Sequence, residues 1–168
     1  MHGKLLVGAN AIAGEWGHNP LPWPTEAESP GPPCYCGKRG CIETFLSGPG
    51  FARDYREAMG KRKSAVEIVA LAEKGDVGAL TALSRYEDRL ARALASVINI
   101  LDPDAIVLAG GLSNIRRLDD AVPRLWGRYL FSDEVRTRLV RAKHGDSSGV
   151  RGAARLWGKS ESVWWTRQ

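Results

Sequence analysis

The sequence predicts an α/β domain, chiefly from one long helical segment and the apolar segment after it. Apolar residues recur at three- and four-residue steps over residues 80–101, which is typical of a helix with one face in the core. This helix is expected to end at Asp102-Pro103, because the residue before a proline is disfavoured in the helical region. The consecutive apolar residues 105–109 indicate a strand in a sheet that is covered on both faces.

Further elements extend this order of helix and strand. Residues 118–130 are predicted to form a helix with Pro123 near its first turn, and residues 135–142 alternate like an exposed strand. Residues 150–157 are predicted to form a closing helix, and residues 4–7 have the composition of a strand. Strands that alternate with helices in this way indicate an α/β lobe.

Two local signals complete the pattern. Residues 19–33 contain six prolines, which exclude a helix or a central strand and predict a long loop. Loops of this length are usually functional or disordered. Ser64 followed by Glu67 has the spacing of a capping box, so a helix is predicted to begin there.

The composition argues against several classes of protein. With 43% hydrophobic and 26% charged residues, the chain is too apolar to be disordered. The net charge is +5, but the basic residues are scattered and Lys61-Arg62-Lys63 is their only run of three. We therefore expect no nucleic-acid partner, with attraction for phosphate-bearing ligands as the weaker alternative. No signal peptide and no apolar stretch of about 18 residues is found, so we expect no membrane partner and a cytoplasmic location.

The three cysteines, Cys34, Cys36 and Cys41, fall within eight residues. An odd, tight cluster in a reducing compartment indicates metal ligands rather than disulfides. The spacing Cys-x-Cys-Gly-x-x-Gly-Cys lets the backbone turn back tightly, because glycine tolerates conformations that other residues avoid. Thiolate ligands, together with an imidazole, suit zinc best.

The fourth ligand and the role of nearby acids are less sharply defined by spacing. His18, just before the proline-rich loop, is the natural fourth ligand, whereas His2 and His144 are weaker candidates. Glu15 and Glu43, considered alone, are more simply explained as solvated surface acids.

Four segments carry a resemblance to a known family: Gly-Glu-Trp-Gly-His at residues 14–18, the cysteine segment ending at Glu43, the strand-turn at residues 102–111, and the helix start at residues 149–154. In this order, and over about residues 3–157, they resemble the ROK family of bacterial sugar kinases. The segments similar to its fructokinase/mannokinase branch in particular are residues 19–23, 34–47 and 143–149.

The resemblance implies the C-terminal lobe of an actin-like ATPase (RNase H-like) fold with a zinc-knuckle insertion. Residues 1–158 would form this lobe, with a zinc- and sugar-binding segment at residues 14–47 and an adenosine-motif strand-turn at residues 105–113. Residues 159–168 are expected to be a frayed tail.

The resemblance also implies roles for individual residues. They are His18, Cys34, Cys36 and Cys41 for a structural zinc, Glu15, His18 and Glu43 for sugar hydroxyls, and Gly110 and Gly111 for the nucleotide. The family's glycine-rich phosphate loop and its aspartate base are expected to lie before Met1, so no catalytic residue is assigned in this chain. A chain without both should not transfer phosphate at a useful rate.

The activity that the resemblance implies is phosphorylation of a hexose, fructose to fructose 6-phosphate by preference, with ATP and Mg²⁺ and in a homodimer. Two alternatives stay open. One is a sugar-sensing transcriptional regulator, and the other is a non-catalytic scaffold fragment that keeps its zinc.

Overall fold

The structure, a computed structural model, describes residues 5–156, and within this range the chain forms six α-helices and two β-strands. They are α1 (Ile42–Leu46), α2 (Gly48–Met59), α3 (Ala65–Glu73), α4 (Val77–Leu101), β1 (Ala105–Leu108), α5 (Leu118–Trp126), β2 (Arg138–Arg141) and α6 (Ser148–Leu156). The predicted frayed tail, residues 159–168, lies outside the described residues. No helix within residues 5–156 is long and apolar enough to cross a membrane.

Helix α4 is the centre of the fold, and the prediction of one long core helix is confirmed. Its N-terminus is capped by Asp76, whose carboxylate accepts a 2.8 Å hydrogen bond from the backbone N–H of Ala79. It ends at Asp102, which is left-handed with a φ of 42° immediately before Pro103. Helices α2, α3 and α5 all pack against it.

The apolar core fills the space between α4 and these helices. Its large buried side chains include Phe51, Tyr55, Ile68, Leu83, Leu90, Leu118, Val122 and Trp126. Each such side chain contributes roughly 1.5–3 kcal/mol relative to leaving it exposed, so many residues share the stabilisation of this part.

Helix α3 begins at the predicted capping box. Ser64 Oγ accepts a 3.3 Å hydrogen bond from the backbone N–H of Glu67, and Glu67 Oε2 accepts a 2.8 Å bond from the backbone N–H of Ser64. Two backbone donors that the helix leaves unpaired are thereby satisfied.

Strands β1 and β2 are parallel, with Ala105 opposite Arg138 and Leu108 opposite Arg141. The prediction that β1 is covered on both faces is wrong for the described residues, because Val107 is 59% exposed. Its neighbours along the strand, Ile106 and Leu108, pack against the core instead. A strand with one covered face alternates in this way, since successive side chains point to opposite sides.

Two other predictions differ from the structure. Residues 5–7 form no strand, and Leu5 and Leu6 are more than half exposed, because no strand within residues 5–156 pairs with them. Helix α5 ends at Trp126 rather than near residue 130, and Pro123 lies well inside it rather than in its first turn. The missing N–H of this proline weakens the helix shortly before a 3₁₀ turn, Gly127–Tyr129, takes over.

The proline-rich loop is fixed to α4 by a group of buried charges that we call the loop clamp, Glu28, Arg89 and Arg92. Glu28 Oε1 accepts hydrogen bonds from Arg89 Nε at 2.7 Å and Arg92 Nη2 at 2.9 Å. Arg92 Nη1 also donates to the backbone oxygen of Trp23 at 2.7 Å. Burial alone would raise the pKa of Glu28, but the two guanidinium groups lower it to about 2.

Candidate functional site

The four predicted metal ligands lie close together. Three of them belong to the cysteine loop, residues 34–41, which folds back toward His18. His18 ends the short 3₁₀ helix Trp16–His18, and Cys41 is the residue that caps α1. An antiparallel bridge between Pro20 and Cys41 holds these two segments side by side. The cluster therefore depends on backbone pairing between segments on either side of the proline-rich loop.

Two glycines make this fold-back possible. Gly31 and Gly40 have φ angles of 74° and 69°, and a Cβ on Gly31 would lie 2.6 Å from Gly40 Cα. A larger residue at Gly31 would have to displace the backbone at Gly40, so the two segments can approach this closely only with glycine at this position. The tight turn expected within the cysteine spacing is also present: Gly37 has a φ of 87°, and its backbone N–H donates a 3.0 Å hydrogen bond to the backbone oxygen of Cys34.

The four side chains form a cluster with the dimensions of a tetrahedral metal site. The Sγ atoms of Cys36 and Cys41 are 3.6 Å apart, and Cys34 Sγ lies 3.5 Å from His18 Nδ1. All four ligand atoms lie within 4.8 Å of one another. Zinc with usual bond lengths would separate two sulfurs by about 3.8 Å and a sulfur from a nitrogen by about 3.6 Å. The donor set and its spacing therefore fit zinc.

The thiols of the cluster differ in acidity. The backbone N–H of Lys38 lowers the pKa of Cys36 to about 7. The backbone N–H of Cys36 has the same effect on Cys34, but burial and the 3.2 Å hydrogen bond to Glu43 Oε1 outweigh it and raise the pKa of Cys34 to about 12. Cys36 is thus the thiol that most readily supplies the thiolate that a metal requires.

The two ring nitrogens of His18 face different groups. Nδ1 faces the cluster, 3.5 Å from Cys34 Sγ and 3.6 Å from Glu43 Oε1. Nε2 faces outward, 2.8 Å from the hydroxyl of Tyr35 and 3.9 Å from Glu15 Oε2. One nitrogen can therefore ligate a metal while the other meets a second ligand in a fixed orientation.

Both predicted sugar-binding acids lie beside this imidazole. Glu43, in the first turn of α1, and Glu15, which precedes the 3₁₀ helix, each have a carboxylate oxygen within 4 Å of the His18 ring. The side chain of Glu15 is 64% exposed and that of Glu43 is 34% exposed. The two acids thus flank the imidazole at its two nitrogens, with Glu43 on the side of the cysteines and Glu15 on the outward side.

Two histidines were weaker candidates for the fourth ligand, and one residue beside the cluster was not predicted. His144 is not part of the metal-ligand cluster found in the described residues, and His2 lies outside them. Tyr35 was missed by the sequence analysis, although its position between two cysteines of the loop places it next to the cluster.

A cavity of about 740 Å³ lies between the strand-turn after β1 and helix α3. Gly111 lines it, and Gly110 has a φ of 82°, a conformation that favours glycine. Its walls are mostly apolar, from residues such as Val69 and Leu112, with Glu73 and Ser113 as polar groups. This size and lining are typical of a pocket for a small molecule.

Trp16 connects the two sites. It belongs to the 3₁₀ helix that ends at His18, and it also lines the cavity. Its indole N–H donates a 3.2 Å hydrogen bond to the backbone oxygen of Ala93 in α4. The short helix that carries His18 therefore also contributes one side chain to the cavity.

Comparison with known proteins gives consistent matches. A sequence model of the ROK family matches residues 1–160. The N-acetyl-D-glucosamine kinase of Aliivibrio salmonicida (strain LFI1238) is 40% identical over 158 residues, which are 92% of this chain and 52% of that protein. The chain spans about half the length of the curated relatives that it matches.

Solved structures agree with these matches. The ROK hexokinase from Thermus thermophilus has a TM-score of 0.76 at 30% identity, over 92% of this chain and 50% of that one. A ROK glucokinase from Streptomyces griseus, solved in complex with glucose and AMPPNP, has a TM-score of 0.79 at 25% identity, over 91% of this chain and 54% of that one.

Proposed function

The chain belongs to the ROK family, and we propose that it supplies the zinc-, sugar- and nucleotide-binding lobe of an ATP-dependent hexose kinase. Its α/β fold is that of ROK kinases, which have the actin-like ATPase fold. The observation that carries the proposal is the orientation of His18, with Nδ1 toward the cysteines and Nε2 toward the exposed carboxylate of Glu15.

In the proposed sugar site, the residues of the chain hold and orient hydroxyl groups. His18 and the three cysteines would hold a structural zinc, which would fix the direction of the imidazole. With Nδ1 on the metal, Nε2 carries the ring proton and donates to a hydroxyl oxygen. The carboxylates of Glu15 and Glu43 accept hydrogen bonds from neighbouring hydroxyls, which selects one arrangement of them.

The cavity beside α3 is the proposed adenosine site. Its apolar walls suit a flat base, and within residues 5–156 no atom beyond the neighbouring residues lies within 4 Å of a Cβ built on Gly110 or Gly111, which leaves room for a ligand at this turn. ATP with Mg²⁺ is the proposed co-substrate. Within residues 5–156 we assign no catalytic base, and the role proposed for this lobe is binding and positioning.

The proposed sugar is N-acetyl-D-glucosamine, with glucose as the next candidate. The fructokinase branch, and fructose with it, finds no support in the comparisons: the relative that is 40% identical is an N-acetyl-D-glucosamine kinase, and the Streptomyces griseus structure contains glucose. Sequence motifs of the loops identified the family but not the sugar.

The test is zinc content together with sugar-dependent ADP formation, measured on the full-length gene product with N-acetyl-D-glucosamine, glucose and fructose in parallel. One zinc per chain and turnover that is fastest with N-acetyl-D-glucosamine are expected. Turnover with none of the sugars would contradict the kinase proposal, and sugar binding without turnover would favour the sensing alternative.

A further inference from the structure

Tyr35 contacts His18 at Nε2, the ring nitrogen proposed to face the sugar. Its hydroxyl oxygen lies 2.8 Å from His18 Nε2, and the two rings meet edge to face with centroids 5.0 Å apart at 86°. The residue is 84% exposed. A large aromatic side chain is thus held by hydrogen bonding and ring contact to one imidazole.

The position of this hydroxyl matters because of the tautomer that a metal imposes. A metal on Nδ1 leaves the ring proton on Nε2, so Nε2–H donates and the phenol oxygen accepts. A sugar hydroxyl that uses Nε2 needs the same proton in the same direction. Tyr35 and the sugar cannot both accept it with good geometry.

We propose that Tyr35 is a built-in competitor of the sugar: its hydroxyl occupies His18 Nε2 in the sugar-free protein and must leave before the sugar binds. This inference rests on the proposed sugar site. Exposure makes the movement easy, because the side chain can rotate into solvent without opening a cavity. The sugar oxygen then replaces the phenol oxygen, which is the weaker acceptor because its lone pair is delocalised into the ring.

Such a competitor lowers the apparent affinity by the fraction of molecules in which Nε2 is free. Removing the hydroxyl should therefore tighten sugar binding about five-fold, which corresponds to about 1 kcal/mol at 1.4 kcal/mol per factor of ten, the net contribution of one neutral hydrogen bond. If Tyr35 instead held the sugar directly, the same change would weaken binding.

The test uses the full-length, zinc-loaded protein and the variant Tyr35→Phe, which keeps the ring and loses the acceptor. The KM for N-acetyl-D-glucosamine is expected to fall about five-fold while the KM for ATP stays the same. The matched control is Tyr129→Phe, which removes a phenol hydroxyl that donates to Asp88 and should leave the sugar KM unchanged. An unchanged or raised sugar KM in Tyr35→Phe would overturn the proposal.

A second readout does not depend on turnover. In long-range ¹H–¹⁵N spectra, the His18 Nε2 resonance should differ between the native protein and Tyr35→Phe without sugar, and the difference should vanish at saturating N-acetyl-D-glucosamine. No difference without sugar, or one that persists with sugar, refutes displacement of Tyr35. If neither protein responds to N-acetyl-D-glucosamine or glucose, the proposed sugar site fails and the competitor fails with it.

Discussion

The segment of residues 14–47 and the helical core around α4 are stabilised in different ways. In the core, buried apolar side chains from four helices all contribute to the free energy of folding, so Phe51 or Leu90 is one contributor among many. The site segment buries few large apolar residues, chiefly Leu21, Ile42 and Phe45. It is held by the cluster of His18 and three cysteines proposed to bind zinc, by two close glycines and by the loop clamp, so single polar residues decide its conformation.

The largest effect is expected from Cys36→Ser, which removes one of the four proposed zinc ligands. Zinc should be lost, and with it much of the roughly 10–16 kcal/mol that a structural site of this kind can supply locally. Limited proteolysis should then cut within residues 19–40 while α4 stays protected. Retained stoichiometric zinc, measured by atomic emission, would contradict the ligand assignment.

A core substitution gives the opposite pattern and serves as the matched contrast. Phe51→Ala should lower the free energy of unfolding by about 3–5 kcal/mol, because it leaves a cavity among packed helices. Zinc content should not change. Urea unfolding followed by circular dichroism, with zinc measured in parallel, separates the two behaviours, and loss of zinc here would mean that the two regions are one cooperative unit.

Glu28→Gln tests the loop clamp, which joins the two regions. The change leaves Arg89 and Arg92 buried without their carboxylate, so a loss of about 3–5 kcal/mol is expected. The exposed pair of Lys63 and Glu67 provides a control, since Lys63→Ala should cost less than about 1 kcal/mol. If the Glu28→Gln variant were as stable as the native protein, the loop clamp would not contribute to stability.

The same carboxylate predicts a pH dependence. The folded pKa of Glu28 is about 2, below an unfolded value of about 4.3. Its contribution is therefore fully present above the unfolded pKa and is lost as the pH falls toward 2. The native protein should lose stability over this window more steeply than Glu28→Gln, in thermal melts between pH 6 and pH 2.5.

Features that depend on local sequence could be predicted. The 25-residue helix α4 and the capping box at Ser64 follow from periodicity and from a three-residue spacing. The cysteine cluster follows in the same way from ligands close in the chain, with His18 as the nearest upstream histidine. The family was also recognisable, because its motifs are short and contiguous.

Features that depend on distant partners could not be predicted. Glu28 pairs with Arg89, 61 residues away, and nothing in the proline-rich loop distinguishes it from a solvated acid. The exposure of Val107 depends on whether another element packs on the second face of β1, which an apolar run does not specify. The contact between Tyr35 and His18 required the fold of the cysteine loop, since an aromatic residue in a loop has no preferred partner.

The position of Trp16 implies that binding at the two proposed sites is coupled. Trp16 belongs to the 3₁₀ helix that carries His18 and also lines the cavity proposed for the nucleotide, so a ligand that shifts it on one side would change the free energy of binding on the other. Linkage requires the effect to be reciprocal: whatever factor the sugar imposes on nucleotide affinity, the nucleotide imposes on sugar affinity. Communication between the two proposed ligands would then need no long-range conformational change, only the displacement of one indole.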